Sequence, residues 1–283
     1  MRKVYVSSTA FSRRDLDSIF ADCKKNGIKN LEIGSNVLYD EQAHEKIVRE
    51  SGDINILLHN YVPAPKVPFV LNLASNCKDI LKKSRNLAQI ALQISGEIGA
   101  SIYSVHAGFA YHALPCYLGT KQTHLEHFPI VDARKIFIES SILLSEVAKQ
   151  NGVRLLIENN VLPSFNLING KNESYLLTSI EESLTLLEVL NKYDIGMLMD
   201  VGHLNVSAAT LRFDKIDYLR QLRYYIYAFH LSENDALTDQ NLSIFPNSWF
   251  IDFIKSFPEN IPVTLEVNQC LEDVLNSKDF LIS

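Results

Sequence analysis

The segment LLIENN, residues 155–160, has the pattern of a buried strand that ends in a carboxylate. Leu155, Leu156 and Ile157 form a continuous apolar run, which is typical of a parallel strand covered on both faces. Glu158 follows the run directly, and two asparagines come after it. The role of an acid at the end of a strand depends on which side chains stand at the ends of the other strands.

Seven further segments share this apolar character and alternate with longer amphipathic stretches. They are KVYVSS (3–8), KNLEIGS (29–35), INILLHNY (54–61), SIYSVHAG (101–108), IGMLMDVGH (195–203), YIYAFHLS (225–232) and PVTLEVN (262–268). Residues 79–100 and 132–152 have helical apolar spacing, and the second stretch stops at Gly152. Eight strands separated by helices within about 250 residues predict an α/β fold, a (β/α)8 TIM barrel, as a single domain over residues 1–283. A doubly wound sheet is the alternative, but no glycine-rich turn follows the first strand.

The composition limits the classes of partner. The 283 residues are 47% hydrophobic with a formal net charge of −6, which allows a large core and argues against a nucleic-acid partner. No apolar run approaches the roughly 20 residues that cross a bilayer, and the start lacks a signal-peptide apolar region. We therefore expect a cytoplasmic protein without a membrane partner. Four widely spaced cysteines predict reduced thiols and no disulfide framework: Cys23, Cys77, Cys116 and Cys270.

Acidic and imidazole side chains stand at the ends of seven of the eight predicted strands. In chain order they are Glu32, His59, His106, Glu158, Asp200 with His203, His230 and Glu266. Because the carboxyl ends of barrel strands converge on one mouth, these side chains are predicted to meet there. Packed carboxylates raise each other's pKa values, and a divalent cation removes the repulsion. Two glutamates, an aspartate and a histidine suit manganese, cobalt, zinc, iron or magnesium, so we predict one divalent ion at four ligands: Glu158, Asp200, His230 and Glu266.

Each of these residues taken alone has a plainer interpretation. A single histidine on a strand, such as His59 or His106, is more often a hydrogen-bonded structural residue than a ligand, so the metal interpretation depends on the whole set. Two long connections, residues 109–130 and 161–178, follow strand ends and are expected to lie over the mouth. The remaining histidines fall in helices or loops, where surface roles are expected: His44, His112, His124 and His127.

Four segments, LLIENN, MDVGH, AFHLSEND and VTLEVN, resemble the metal-bearing strand ends of the xylose isomerase-like TIM barrel superfamily. That superfamily includes sugar phosphate isomerases and epimerases, inosose dehydratases and the AP endonuclease IV family. The resemblance extends over nearly the whole chain. It implies one metal ion on the four ligands named above and places His203 near the substrate.

The chain departs from both branches of this superfamily after its seventh strand. The endonuclease branch holds three zinc ions, and its Asp-x-His motif is replaced here by DQN, residues 239–241. An amide is a much poorer zinc ligand than an imidazole, which argues against a third zinc ion and against nuclease activity. Ketose 3-epimerases have a His-x-Gly-Glu-x-Asn-Arg pattern; the run HLSENDA here has Glu233 and Asn234, which Asp235 follows, and it lacks the substrate-binding arginine.

These observations predict a metal-dependent isomerase or epimerase of a sugar or sugar phosphate. Glu158 and Glu266 are expected to remove and return a proton next to a carbonyl, through a metal-stabilised enediolate. Substrate contacts are expected from six residues: His203, His106, His59, Glu32, Glu233 and Asn234. The alternatives are an endonuclease IV-like phosphodiesterase on abasic DNA, a dehydratase of a cyclic polyol, and a non-catalytic sugar-binding barrel. A homo-oligomer is left open.

Overall fold

Eight parallel strands close into a barrel in the computed structural model of the protein, which describes residues 2–282. The strands are β1 Val4–Ser7, β2 Asn30–Ile33, β3 Asn55–His59, β4 Ile102–His106, β5 Arg154–Glu158, β6 Gly196–Asp200, β7 Ile226–Leu231 and β8 Val263–Leu265. Each strand pairs with the next one in the chain, and β1 closes the ring against β8, with Val4 opposite Val263. The predicted (β/α)8 barrel is confirmed.

Helices connect the strands around the outside of the barrel. They are α1 Leu16–Lys25, α2 Ala43–Glu50, α3 Lys78–Glu97, α4 Ile130–Gln150, α5 Ile180–Leu190, α6 Val201–Leu211, α7 Lys215–Leu222, α8 Ile251–Lys255 and α9 Leu271–Ile282. The two helices predicted from apolar spacing are α3 and α4. Gly152, just beyond α4, has a φ of +67°, a left-handed conformation that favours glycine after a helix end. No helix within residues 2–282 is long and apolar enough to cross a membrane.

Strand β5 shows how the barrel interior changes along its axis. Leu155 and Ile157 pack in the large core between the barrel and the helices, whereas Leu156 belongs to a separate apolar cluster inside the barrel. Side chains alternate between the two faces of a strand, so Glu158 faces the interior one layer above Leu156.

The same alternation divides the interior into two layers. The lower layer is apolar and consists of Tyr5, Leu57, Ile102, Leu156, Leu198 and Ala228. In four of these strands, an acid or imidazole follows two residues later and lies at the end where the strands stop. We use the name upper layer for these four residues and the acid of β2, which are Glu32, His59, Glu158, Asp200 and His230. The register of the paired strands determines which of these residues are neighbours. His106 of β4 lies opposite Glu158 of β5, and Asp200 of β6 lies opposite His230 of β7.

The two long connections after β4 and β5 are joined to each other. Phe109 forms an isolated antiparallel bridge with Tyr175 between the two connections, and Tyr111 forms one with His127 within the first connection. The Tyr111 hydroxyl donates to the Tyr175 hydroxyl at 3.1 Å, and the Asn166 amide donates to the same Tyr175 oxygen at 2.9 Å. Both connections start where strands end, so they stand on the side of the barrel that carries the upper layer.

Candidate metal centre

The four predicted metal ligands lie together at the mouth of the barrel. Glu158, Asp200 and His230 are at the ends of β5, β6 and β7, and Glu266 follows β8 directly. One ligand atom from each of the four lies within 4.8 Å of the others. The first three are fully buried, at 0% exposure, whereas the Glu266 side chain is 19% exposed. Parallel strands that end at the same level therefore bring together residues up to 108 positions apart in the numbering of the chain.

His230 lies at the middle of this group and faces it with one ring nitrogen. Its Nδ1 is 2.6 Å from Glu266 Oε2, 3.5 Å from Glu158 Oε1 and 3.9 Å from Asp200 Oδ2. Its Nε2 lies on the opposite side of the ring, 2.7 Å from Glu32 Oε1. The nitrogen that faces the other three ligands is therefore Nδ1.

Two further histidines approach Glu158 from the other side. His59 Nε2 is 3.2 Å and His106 Nδ1 is 3.1 Å from Glu158 Oε2. His59, His106 and Glu158 form a second group whose ligand atoms lie within 4.8 Å of one another. Glu158 belongs to both groups, so it can bridge two ions. The expectation that both histidines contact substrate stays a prediction, and the geometry makes them candidate ligands as well.

The two asparagines that follow Glu158 have structural roles that the sequence did not indicate. The Asn159 side chain pairs with the backbone of Asp200, accepting from its N–H and donating to its carbonyl oxygen, both at 2.9 Å. The Asn159 carbonyl also accepts from His203 Nδ1 at 2.8 Å. Asn160 donates to the carbonyl oxygens of Ala107, Gly108 and Leu176 at 2.8 to 3.1 Å. The asparagines thus fix the ends of neighbouring strands around the centre. Their only signal in the sequence is their position directly after the acid.

The donor atoms of the centre have the arrangement that a cation requires. Both carboxylate oxygens of Glu158, Asp200 Oδ2 and both ring nitrogens of His230 are buried without an aligned hydrogen bond from any described residue. Buried polar atoms are normally paired, and groups without partners call for an unseen ion or water. Oxygen and imidazole atoms that converge in this way fit a divalent ion such as manganese, zinc or magnesium.

The charge balance of the centre leads to the same conclusion. Burial raises the pKa of Asp200 to about 7, and the carboxylates of Glu158 and Glu266 add to the rise against the opposing effect of His203. Burial lowers the pKa of His230, but the charges of Glu32 and Glu266 outweigh it and hold that pKa well above its usual value. The protein part of the centre therefore has an excess of negative charge, which a divalent cation would neutralise.

Access to the centre is limited to one side. The exposed fractions are 34% for the His106 side chain, 24% for Asp239 and 19% for Glu266, while His203 is 8% exposed. Asp239 Oδ2 lies 3.3 Å from His203 Nε2 and 3.4 Å from the Asn241 amide nitrogen. The aspartate of the DQN segment is thus next to His203, and the Asn241 amide stands at the position of the histidine in the Asp-x-His pattern.

The remaining predicted substrate contacts differ in how far they are already engaged. The Asn234 amide donates to the Gly202 carbonyl oxygen at 2.9 Å, and its oxygen accepts from the Asn205 amide at 2.8 Å. Glu233 is half-buried and pairs through its backbone with Leu242. Substrate contact by Glu233 and Asn234 stays a prediction, and for Asn234 it would require the amide to leave its present partners.

Comparisons with known proteins agree with this fold. A family model described as xylose isomerase-like TIM barrel matches residues 20–279. A D-tagatose 3-epimerase-like protein of known structure is 18% identical, with a TM-score of 0.74 over 99% of this chain and 96% of that chain. A 3-keto-D-glucoside 4-epimerase from E. coli is 11% identical, with a TM-score of 0.67 over 100% and 98%. An AP endonuclease, family 2, from Brucella melitensis is 14% identical, with a TM-score of 0.65 over 95% and 94%. No curated protein matches significantly, and identities this low show a shared fold only.

Proposed function

Because the chain belongs to the xylose isomerase-like TIM barrel family, we propose that it is a metal-dependent isomerase or epimerase of a sugar or sugar phosphate. The observation that carries this proposal is the meeting of four candidate ligands within 4.8 Å at an open barrel mouth. The sugar epimerases among the similar structures support the same reaction class.

We assign different roles to the two glutamates because they lie at different depths in the barrel mouth. Glu158, Asp200, His230 and Glu266 hold one divalent ion. Such an ion supplies Lewis-acid polarisation of a carbonyl, which acidifies the neighbouring C–H. Glu266 is the more accessible of the two glutamates, so we assign it the removal of the substrate proton. Glu158, with no exposed surface, returns a proton from the opposite side.

The charges around the centre favour a neutral sugar over a phosphorylated one. Four carboxylates lie at the mouth: Glu158, Asp200, Asp239 and Glu266. In the described part of the chain, all of their ion pairs are with histidines, and none is with lysine or arginine. A phosphate group is normally bound by arginine, lysine or a helix N-terminus. Hydroxyl groups can instead donate to Asp239 and Glu266. A sugar phosphate is the second form of the same proposal.

Metal content and proton exchange test the proposal together. We expect about one divalent ion per chain after dialysis, and its loss in Asp200→Ala. Asp194→Ala is the control, because Asp194 is exposed and pairs with Arg154 away from the mouth. The loaded protein should exchange a carbon-bound proton of at least one ketose or aldose with deuterated solvent. Full metal occupancy in Asp200→Ala, or no exchange across a broad panel of sugars, would contradict the proposal.

A phosphodiesterase is the second candidate, and one observation favours it. The group of His59, His106 and Glu158 shares Glu158 with the first group, as expected of a two-metal hydrolytic site. Two or more ions per chain and cleavage of a DNA duplex with an abasic site would support this candidate. One ion without cleavage would exclude it. Release of water from a cyclic polyol would indicate the dehydratase variant, which begins with the same proton removal.

A further inference from the structure

The Glu32 carboxylate is buried beneath His230, with one oxygen hydrogen-bonded to Thr264 and the other next to the His230 ring. Glu32 is 2% exposed, and its Oε1 lies 2.7 Å from His230 Nε2. Its Oε2 accepts a hydrogen bond from the Thr264 hydroxyl at 3.0 Å, across 232 positions of the sequence. Substrate contact by Glu32 stays a prediction, and its low exposure places it behind His230 and away from the more exposed Glu266.

We propose that Glu32 is a positioning residue that keeps a proton on Nε2 of His230 and so presents Nδ1 to the metal ion. Both ring nitrogens of His230 face a carboxylate oxygen, Nε2 at 2.7 Å from Glu32 and Nδ1 at 2.6 Å from Glu266, and a lone pair would be repelled at either place. The proposed cation on the Nδ1 side would remove the repulsion there, so the nitrogen that faces Glu32 is the one that carries the hydrogen. In the neutral ring the lone pair is then on Nδ1, which faces Glu266, Glu158 and Asp200. This inference rests on the metal centre of the proposed function.

The surroundings of Glu32 keep its carboxylate in place. Thr264 is 2% exposed and is the register partner of His230 in the β7–β8 pair. Its hydroxyl therefore comes from the strand next to the histidine and holds the second oxygen of Glu32. A carboxylate behind a ligating histidine fixes its orientation and raises its basicity, and loss of such a partner typically lowers metal affinity about 10–100-fold.

Glu32 also has a competing role that the geometry permits. Glu32, His59 and His230 form a third group with ligand atoms within 4.8 Å of one another. If an ion occupied that group, Glu32 would be a ligand and Nε2 of His230 would carry no proton. The two roles differ in metal number and in the ligating nitrogen, and both can be measured.

Zinc binding and ¹⁵N NMR of labelled histidines test the proposal with three variants. Glu32→Gln keeps the shape and one acceptor oxygen but removes the charge, and Thr264→Val removes the hydroxyl that holds Glu32. Glu50→Gln is the matched control, because Glu50 on α2 is also buried but pairs with Lys24 of α1 and with Arg49. Zinc affinity is measured by competition with a chelating dye, and zinc content by elemental analysis. The stability of each metal-free variant is measured by thermal melting.

We expect Glu32→Gln to lower zinc affinity about 10–100-fold without changing the number of ions. Thr264→Val should lower it less, about 2–10-fold, the equivalent of one hydrogen bond. Thr264→Val should add little in the Glu32→Gln background, because the two residues act through the same contact. Glu50→Gln should leave affinity unchanged. In the zinc-loaded wild type, His230 should show a proton on Nε2 and zinc on Nδ1.

Three results would overturn the positioning role while leaving the metal centre intact. They are unchanged zinc affinity in Glu32→Gln, loss of one whole ion in that variant, and zinc on Nε2 of His230 in the wild type. A lower melting temperature with normal affinity would assign Glu32 to stability alone and also overturn the proposal. Absence of zinc binding in the wild type would instead refute the proposed function, and the positioning role with it.

Discussion

The two layers inside the barrel are built on the same strands and have opposite chemistry. Leu156 and Glu158, two residues apart on β5, are both 0% exposed. Burying the leucine contributes about 1.5–3 kcal/mol to stability, whereas an isolated buried carboxylate is strongly unfavourable unless a partner compensates it. The lower layer therefore stabilises the barrel, whereas the upper layer is unfavourable unless a partner such as the proposed ion compensates its charge.

This difference gives a direct way to separate fold from function. Changes in the lower layer should lower the free energy of unfolding and leave the metal-binding residues unaltered. Changes in the upper layer should alter metal binding and proton transfer and have smaller effects on stability. Sites that conflict with the local rules of folding are often functional, and such sites commonly reduce stability.

The largest effect is expected from the two glutamates at the mouth. Glu266→Gln and Glu158→Gln each keep the shape and one oxygen donor but remove the basic carboxylate. Each should retain at least partial metal occupancy and lose about 10²–10⁴-fold in rate, the usual contribution of a positioned acid or base. Turnover is measured on a sugar that exchanges its proton with the wild type.

The two variants should also differ from each other. If Glu266 removes the proton, Glu158→Gln should still exchange the substrate proton with deuterated solvent while forming no epimer, and Glu266→Gln should do neither. The reverse pattern would exchange the two roles. Wild-type turnover in a metal-loaded double variant would show that both glutamates are ligands only, and the base would have to be sought at His203.

The next largest effect is expected from the lower layer. Leu156→Ala leaves a cavity inside the barrel and should lower the free energy of unfolding by about 2–5 kcal/mol. Chemical denaturation measures this loss, and metal content is measured where the variant is still folded. The metal content should equal that of the wild type. A folded Leu156→Ala protein that binds no metal would break the separation between the layers.

The barrel and the four-residue group were predictable because their signals are local. A short apolar run and its terminal acid or imidazole are readable from a few residues, and barrel geometry places all strand ends at one mouth. Leu156 and Glu158 illustrate this, since their spacing of two fixes a common side of the strand. The same holds for Leu198 and Asp200 on β6.

The positions of the strand-end side chains relative to one another were not predictable, because they depend on contacts across the barrel. Glu32 and Glu266 have the same strand-end signal, yet Glu32 lies behind His230 and Glu266 in front of it. His59 and His106 are predicted substrate contacts, and their distances to Glu158 depend on ring orientations that no local pattern encodes.

A smaller effect is expected at Asn160, which supports the upper layer without belonging to it. Its amide donates to three carbonyl oxygens, so Asn160→Ala removes one donor from each of them, and the Gly108 oxygen still accepts from the Leu176 N–H. We expect a loss of about 1–3 kcal/mol in the free energy of unfolding, together with weaker metal binding because the end of β5 is less fixed. Asn151→Ala is the control, since Asn151 lies directly after α4 and its amide donates to one carbonyl oxygen, that of Val147. Equal losses in both variants would contradict a special role of Asn160.

The smallest effect is expected in the connections above the mouth, where single neutral hydrogen bonds join the two segments. Tyr111→Phe removes only the hydroxyl that donates to Tyr175, so stability should fall by about 0.5–1.5 kcal/mol. Tyr175→Phe should cost more stability, because its oxygen also accepts from Asn166.

Neither change touches the four candidate ligands, so zinc affinity should stay at the wild-type value in both variants. Denaturant unfolding and zinc competition on the two single variants and the double variant measure these effects. Because the tyrosines share one hydrogen bond, the double variant should lose less stability than the sum of the two single losses. If Tyr111→Phe weakened zinc binding as strongly as Glu32→Gln, the ordered connections would be part of the metal centre, and the upper layer would extend beyond the strands that carry it.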